Sequence, residues 1–318
     1  MSCLLAVTLP AFAQALPPHR ASVRGGDPGP FPGDVLTVQV MLDRAGFSPG
    51  EIDGREGSNL RRALAAFQKA HGLHETGRLD EETRLRLTER SANQPSLVSY
   101  EITEADVAGP FAPDIPLDLV QQSTLQALGY RSALEALAEK HHASPLLLRR
   151  LNPGATFERP GERLMVPNVA VANPLAPAPG ERPVALIAVT KATSALTVED
   201  QDGNVIFHAP VTTGSTHDPL PIGEWKVTGV QKMPVFHYNP DLFWDADPRH
   251  SKARIAPGPN NPVGVIWIDI TREHYGIHGT PEPSRIGHAQ SHGCVRLTNW
   301  DVQRVAQWAR PDVRVVFR

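Results

Sequence analysis

The chain has 318 residues, of which 41% are hydrophobic and 20% are charged, so it can bury the cores of two or three domains. Its formal net charge is −3 and it contains no long basic run, which argues against a protein that binds nucleic acid by neutralising phosphates. Proline is abundant, at 31 residues, and clusters in short stretches that are typical of loops and linkers.

The first fifteen residues predict a secretory signal peptide. A short apolar run, Leu4 to Leu9, precedes two Ala-x-Ala cleavage sites within Ala11 to Ala15, although no Lys or Arg comes before the run. A frayed apolar tail is the alternative. No later segment reaches the ~18 apolar residues of a transmembrane helix, so we expect none in the mature chain. We therefore expect a protein of the periplasm or cell envelope, in which Cys294 remains as an unpaired cysteine once Cys3 has been removed with the signal.

Residues 31–90 predict a small module of three helices. Two amphipathic patterns end near Gly46 and Gly72, and Asp80 to Glu82 favours the start of a third helix. The segments VQVMLDRAGF, GEIDGREGSNLRRALAAFQKAHGL and TGRLDEET resemble the three-helix peptidoglycan-binding module of cell-wall enzymes. The resemblance implies binding to peptidoglycan. The alternative is an ordinary helical bundle whose Asp-Gly turns are only turns.

Residues 91–172 predict an irregular segment followed by a compact helical unit. The stretches Ile102 to Asp106 and Pro110 to Pro116 suggest extended, irregular structure, to which we assign no function. Residues 132–167 then show two helices, the second capped by Ser144, and a short strand. This segment resembles a LysM domain, a βααβ unit that binds glycan chains, although the opening strand is not evident. Between the helices, His141 and His142 are predicted to be solvated residues at a helix end.

Residues 173–183, NPLAPAPGERP, predict an extended proline-rich linker. Short β-branched or apolar runs separated by turn residues follow it, and they predict a sheet-rich domain over residues 184–318. The runs are Val184–Thr190, Ala195–Val198, Val205–Thr212, Trp225–Val230, Val263–Ile270 and Val313–Phe317. Thr298 and Asp301 form a capping pattern for one helix. The predicted fold class is thus a multidomain α+β protein with a small three-helix N-terminal module, a LysM-like middle segment and a mainly-β C-terminal domain.

The segment from Tyr275 to Leu297 carries the residues most suited to chemistry. Cys294 and His278 together could supply a nucleophile and its base. Gly279 leaves the backbone free to approach closely, so its carbonyl could hold one imidazole nitrogen while the other faces the sulfur. Gly293 allows a tight turn that points backbone N–H groups at one spot, an oxyanion hole in which one donor contributes ~3 kcal/mol.

Further observations leave several interpretations open. Arg296 would share a strand face with Cys294, where its guanidinium could grip a substrate carboxylate. A buried, inert cysteine is one alternative to a nucleophile. A zinc site made by Cys294, His278 and His292 is another, although no H-E-x-x-H motif is present.

The sequences IHGT and SHGCVRLTNWD resemble the signature of the L,D-transpeptidase catalytic domain, the YkuD family. The likeness extends over about residues 184–318. It implies that Cys294 is the nucleophile and His278 its base, and that Ser291, His292 and Gly293 shape the pocket and the oxyanion hole. Arg296, and Tyr275 beside the strand end, are expected to contact substrate. His217 and His288 are expected to be exposed loop residues without a role.

The resemblance also implies a reaction. Cys294 would attack a peptidoglycan tetrapeptide stem, release D-alanine and pass the acyl group to a diaminopimelate amine, which gives a 3→3 crosslink. No metal or organic cofactor is expected, and β-lactams, carbapenems especially, are expected to acylate the cysteine. The alternatives are an L,D-carboxypeptidase or amidase on the same scaffold, and a non-catalytic protein that binds peptidoglycan.

Overall fold

The computed structural model describes residues 35–91, 94–169 and 184–318, which form three packed units. The predicted signal peptide, residues 1–15, and the predicted linker, residues 173–183, lie outside the described residues. Within the described ranges, no helix has both the length and the apolar character needed to cross a bilayer. The predicted α+β fold class, with a helical N-terminal module and a mainly-β C-terminal domain, is confirmed.

The N-terminal module consists of the three predicted helices, α1 (Val35–Arg44), α2 (Ser58–Ala70) and α3 (Glu81–Arg90). α3 begins where the acidic residues predicted it, because the Asp80 carboxylate accepts a 2.8 Å hydrogen bond from the N–H of Thr83. The apolar faces of the helices meet in a buried core that contains Leu42, Leu64, Phe67 and Leu87. The helical periodicity of the sequence was therefore sufficient to predict this module.

The middle unit is a two-stranded antiparallel sheet packed against helices. Its elements are β1 (Leu97–Glu101), α4 (Glu104–Val107), α5 (Leu119–Gln122), α6 (Ala133–Lys140), α7 (Pro145–Leu151) and β2 (Arg163–Pro167). β1 pairs with β2 from Leu97 opposite Pro167 to Glu101 opposite Arg163. The opening strand that residues 132–167 lack is thus β1, and residues 102–132 separate it from α6. The extended structure predicted for Ile102 to Asp106 is wrong, because Thr103 caps the short helix α4.

The prediction that His141 and His142 are solvated is also wrong. His141 is 6% exposed, packs edge-on against Tyr100, and burial lowers its pKa to about 3. The His142 Nδ1 lies 3.0 Å from the Asp43 carboxylate of the N-terminal module, and its ring stacks at 5.1 Å on Trp300 of the C-terminal domain. All three units therefore meet at the end of α6. The two histidines there contact other side chains instead of solvent.

The C-terminal domain is built on one mixed eight-stranded sheet, whose strands are β3 (Val184–Thr190), β4 (Ala195–Asp200), β5 (Val205–Pro210), β6 (Gly223–Lys232), β9 (Ile266–Ile270), β10 (Gly276–His278), β11 (Val295–Arg296) and β12 (Arg314–Phe317). Their order across the sheet is β11-β10-β9-β6-β12-β3-β4-β5. A separate hairpin, β7 (Phe236–Tyr238) and β8 (Ala253–Ile255), was not predicted. The helix α8 (Asn299–Ala306) starts at the predicted Thr298 cap and covers the core with Val302 and Val305.

The sheet curls until its two edges meet beside the cysteine. Thr212, which follows β5, forms an isolated antiparallel bridge with Arg296 of β11. The two residues exchange backbone hydrogen bonds of 3.0 and 2.9 Å. Since Cys294 lies just before β11, the closure of the sheet fixes the backbone that carries the thiol.

Candidate active site

Adjacent parallel strands bring the predicted histidine and cysteine to one end of the sheet. β10 pairs with β11 so that Ile277 lies opposite Val295 and His278 lies opposite Arg296. Ile277 and Val295 are both fully buried in the apolar core. Side chains alternate along a strand, so His278, Arg296 and the preceding Cys294 belong to the other face.

The imidazole of His278 is fixed by its neighbours on both sides. Its Nδ1 lies 2.7 Å from the carbonyl oxygen of Gly279, and its ring stacks on Trp267 at 5.2 Å with an interplanar angle of 18°. A carbonyl oxygen only accepts hydrogen bonds, so Nδ1 carries the proton and Nε2 keeps a free lone pair. This is the carbonyl contact that the glycine at position 279 predicted.

The electrostatic environment keeps His278 neutral. Its pKa is lowered to about 3, mainly by burial and to a smaller extent by the charge of Arg296, and the hydrogen bond to the Gly279 carbonyl opposes the shift only in part. At neutral pH the ring is therefore an unprotonated base. It has no imidazolium charge with which to stabilise a thiolate in advance.

The thiol of Cys294 is free and half-buried. Burial raises its pKa, while the N–H of Gly276 and the charge of Arg296 lower it to a smaller extent. Its Sγ lies 3.8 Å from the carbonyl oxygen of His274, which accepts the thiol hydrogen. The Cys294 side chain thus rests as a neutral, partly exposed thiol directly before β11.

The turn before the cysteine is tight and leaves backbone donors available. Gly293 has φ +96°, and a Cβ there would lie 2.5 Å from the Tyr275 ring, so this position requires glycine. The Ser291 hydroxyl donates a 2.6 Å hydrogen bond to the carbonyl of Cys294, which ties the turn together. In the described part of the chain, the N–H groups of Gly293 and Cys294 have no hydrogen-bond acceptor. Both donors are available to a ligand.

The remaining predicted residues surround this turn in different ways. Arg296 is held by its backbone to Thr212, and its Nε is buried without a hydrogen-bond partner among the described residues. The Nε2 of His292 lies 2.8 Å from the Asp245 carboxylate. Tyr275 packs on Gly293 and lies 5.5 Å from the Arg272 guanidinium. Ser291 and Tyr275 thus contact the turn that carries the thiol, whereas the side chain of His292 contacts Asp245.

His217 and His288 are both exposed, as predicted, but His217 is not isolated. Its ring stacks at 4.2 Å on Trp244, whose side chain is 59% exposed. Trp244 belongs to the loop between β7 and β8, which also carries the partner of His292. Nothing in the sequence of this loop pointed to the site.

Residues 112–130, for which the sequence suggested no role, support that loop. Ile115 and Leu128 share a buried apolar cluster with Tyr238 and Ile255 of the β7–β8 hairpin. The Asp118 carboxylate also lies 2.9 Å from His250 Nε2. Trp267 was likewise missed as a site residue, because its only sequence signal was an ordinary apolar strand.

A zinc site would need Cys294, His278 and His292 as a common ligand group. In residues 35–91, 94–169 and 184–318, no group of three or more His, Cys, Asp or Glu side chains is arranged to hold a metal ion. The observed contacts of His278 with Gly279 and of His292 with Asp245 show what these rings do instead.

Two family models match the chain. The model of the L,D-transpeptidase catalytic domain, YkuD, matches residues 185–317, and the "Putative peptidoglycan binding domain" matches residues 32–87. Both resemblances seen in the sequence are thereby confirmed. No such finding bears on the LysM-like segment, which stays a prediction.

The chain is also similar to individual proteins. "Putative L,D-transpeptidase YqjB" of Bacillus subtilis is 32% identical over 147 residues, which are 44% of this chain and 73% of that protein. "Putative L,D-transpeptidase YkuD" of Bacillus licheniformis is 46% identical over 59 residues, 19% of this chain and 36% of the relative, so the chain spans about a third of that protein. A solved structure of the L,D-transpeptidase LdtMt1 in complex with imipenem is 17% identical, with a TM-score of 0.33 over 43% of this chain and 59% of the other.

The sequence match to YqjB covers most of that protein, and the catalytic family model covers the whole curled sheet with its cysteine and histidine. The chain therefore belongs to the L,D-transpeptidase family.

Proposed function

We propose that this chain is a cysteine-dependent L,D-transpeptidase that crosslinks peptidoglycan stem peptides. The observation that carries the proposal is the neutral imidazole of His278, whose Nδ1 is bound to the Gly279 carbonyl and whose Nε2 is free on the face shared with Cys294. A base oriented by a carbonyl, beside a thiol in a partly open site, is what acyl transfer through a thioester requires.

In the first half-reaction, Cys294 Sγ attacks the carbonyl carbon between diaminopimelate and the terminal D-alanine of a tetrapeptide stem. The S–C bond forms as the thiol proton passes to His278 Nε2. The C–N bond then breaks, and the proton moves from Nε2 to the leaving D-alanine amine. Because thiol and imidazole are both neutral at rest, the proton moves during attack rather than before it.

The developing oxyanion would be bound by the backbone N–H groups of Gly293 and Cys294. Two features support this assignment: the left-handed turn at Gly293, and the absence of any acceptor for these donors within the described residues. Arg296, with its unpartnered Nε, is proposed to bind a substrate carboxylate.

In the second half-reaction, the side-chain amine of a second stem's diaminopimelate attacks the thioester. The C–N bond forms, the C–S bond breaks, and His278 carries a proton from the amine to the departing sulfur. The product is a 3→3 crosslink. Water is the alternative acceptor, since Cys294 is half-buried rather than sealed, and it would make the chain an L,D-carboxypeptidase.

The N-terminal module is proposed to hold the enzyme on its polymer. It matches a peptidoglycan-binding family, and it is docked on the catalytic domain rather than free of it, because Asn59 donates a 2.8 Å hydrogen bond to the carbonyl of Ile286. Such attachment raises the local concentration of stems without altering the site. We propose that the protein acts in the cell envelope. The proposed units are residues 31–90, 91–172 and 184–318, and residues 132–167 are proposed to bind glycan chains.

The experiment that tests this function is a product profile. The purified protein is incubated with disaccharide tetrapeptides, and products are separated by mass, with Cys294→Ala as the control. Crosslinked dimers and free D-alanine, both absent from the control, are the expected result. Shortened monomers alone would assign hydrolysis instead. Unchanged substrate would contradict the enzyme proposal and leave a peptidoglycan-binding protein.

A further inference from the structure

We infer that Glu139, on α6 of the middle unit, is a positioning residue for the catalytic base, and that it acts through Asn299 and the backbone of Gly279. The inference rests on the proposed function, since it takes His278 as that base. It assigns to the middle unit a part in the reaction, besides any binding of the wall.

The first step is a hydrogen-bond contact between two units. Asn299, at the start of α8, is fully buried, and its Nδ2 lies 3.2 and 3.0 Å from the two carboxylate oxygens of Glu139. The same Nδ2 lies 3.1 Å from the Pro259 carbonyl. Glu139 is itself held by the Tyr130 hydroxyl, which donates to its Oε1 at 2.8 Å. All the partners of Nδ2 are acceptors, so they define which end of the amide faces the middle unit.

The oxygen of the Asn299 amide lies against the backbone of Gly264 and Gly279. Asn299 Oδ1 accepts a 3.2 Å hydrogen bond from the N–H of Val265. It also occupies the space where side chains of Gly279 and Gly264 would begin, because a Cβ at these positions would lie 2.3 and 2.2 Å from Oδ1. The amide oxygen therefore packs directly on the backbone that follows His278.

The backbone of Gly279 in turn contacts the imidazole of His278. Gly279 supplies the carbonyl oxygen that lies 2.7 Å from His278 Nδ1, and this contact sets the tautomer and the direction of Nε2. If Glu139 were replaced by a residue that accepts no hydrogen bond, the amide of Asn299 would lose two of its contacts at Nδ2. Only the contacts with Val265 and Pro259 would then hold the amide, so its oxygen would be less firmly fixed against Gly279.

A misplaced base slows proton transfer without removing any group that binds substrate. A shift of the order of 1 Å in a catalytic group can lower the rate about 100-fold. We therefore expect loss of the Glu139 contact to reduce the acylation rate constant about 10- to 100-fold, with the affinity of the first, noncovalent complex unchanged. Glutamine at position 139 retains an acceptor oxygen for Asn299 and should preserve the rate.

The test compares Glu139→Met, which keeps the length of the side chain but accepts no strong hydrogen bond, with Glu139→Gln. Acylation by imipenem is followed by stopped-flow absorbance, which separates the noncovalent dissociation constant from the rate constant. The His278 Nδ1–H signal is followed by ¹⁵N NMR in the same proteins. Ser48→Ala is the matched control, because it removes another buried contact between units, the 2.8 Å hydrogen bond to Asp301, without touching Gly279.

The expected result is a rate constant at least about 10-fold lower in Glu139→Met, with a shifted Nδ1–H signal, and near-normal values in Glu139→Gln and Ser48→Ala. Equal rates and signals in Glu139→Met and the wild type would overturn the inference, as would an equal loss in Ser48→Ala. If Glu139→Met does not fold, Glu139→Ala is used with the same criteria. Failure of imipenem to acylate the wild type would contradict the proposed function, and the NMR comparison alone would then decide the inference.

Discussion

Two clusters of buried ionisable groups in this chain differ in whether their side chains are charged or neutral at rest. At the active site, burial keeps His278 unprotonated and raises the pKa of the Cys294 thiol, so both reactive groups are neutral. At the ionic junction, which we define as Asp43, His142, Asp301 and Arg304, the Asp43–Arg304 pair stays charged, whereas burial raises the pKa of Asp301 to about 7. Burial alone would raise the pKa of Asp43, but Arg304 and His142 more than compensate and hold it far below its usual range.

The difference follows from what surrounds each cluster. Both oxygens of Asp43 have partners in the junction, since Arg304 donates to Oδ1 at 2.8 Å and His142 Nδ1 lies 3.0 Å from Oδ2. Such pairing makes a buried charge tolerable. Within the described residues Cys294 has no such bidentate partner, and the N–H of Gly276 and the charge of Arg296 offset only part of the effect of burial on its pKa. The Asp43–Arg304 pair is thus charged at rest, whereas in the proposed mechanism charge at the site forms during turnover.

The largest effect is expected from Cys294→Ala. Without the sulfur no thioester can form, and turnover should fall by at least about 10⁴-fold. The side chain is small and half-buried, so the free energy of unfolding should change by less than about 1 kcal/mol. Dimer formation measured by mass and unfolding in urea check the two parts. Residual crosslinking above about one part in ten thousand would mean that a group other than Cys294 carries the acyl group.

A smaller loss of activity is expected from His278→Ala. Removal of the general base should slow acylation by about 10²- to 10⁴-fold. Acylation rates between pH 5 and 9 provide the measurement. His278 is unprotonated over this range, so the base-assisted wild-type rate should vary little with pH. Without the base only the thiolate of Cys294 reacts, and because its pKa is raised, the rate of the variant should rise more steeply with pH. Full activity in the variant would show that the imidazole is not the base.

At the ionic junction the expected effect is on folding. Arg304→Ala leaves the Asp43 carboxylate buried without its bidentate partner, which should cost about 3–5 kcal/mol of unfolding free energy. The matched control is Arg314→Ala, which removes an exposed ion pair with Glu224 and should cost less than about 1 kcal/mol. Unfolding in urea compares the two. Similar small losses would show that the junction does not depend on its charges.

The smallest expected effect is a pH dependence of the unfolding free energy that comes from Asp301 in the ionic junction. Burial raises the pKa of Asp301 from 3.8 to about 7, so the folded state keeps a proton that the unfolded state has lost. Between about pH 4 and 7 this group therefore contributes less stability as the pH rises. Asp301→Asn does not titrate, so it should gain about 2 kcal/mol on the wild type between pH 5 and 8. A difference that does not vary with pH would exclude an elevated pKa.

Sequence and structure agree best where the determinants are local. The helices of the N-terminal module follow their apolar spacing, and the contact of His278 with its own neighbour Gly279 follows from a strand end and a glycine. Cys294 is brought to this histidine by a parallel pair of strands only sixteen residues apart, within one recognisable segment. The fold class and the catalytic segment could therefore be predicted.

The rest depends on contacts between residues that are far apart in the chain. Asp43 and Arg304 are separated by 261 positions, and Glu139 and Asn299 by 160. Each of these residues has an ordinary place on its own helix, and no local pattern distinguishes it from a solvated residue. His142 was predicted wrongly for this reason, because its helix end is exposed within its own unit and is covered only when Trp300 packs on it.

In the proposed mechanism the thiol of Cys294 forms a covalent acyl-enzyme. The most direct test is intact-mass analysis of the wild type after reaction with a carbapenem, followed by mapping of the modified peptide. We predict a single adduct, located on the peptide that contains Cys294 and absent from Cys294→Ala. An unmodified protein, or an adduct that persists in Cys294→Ala, would contradict the account.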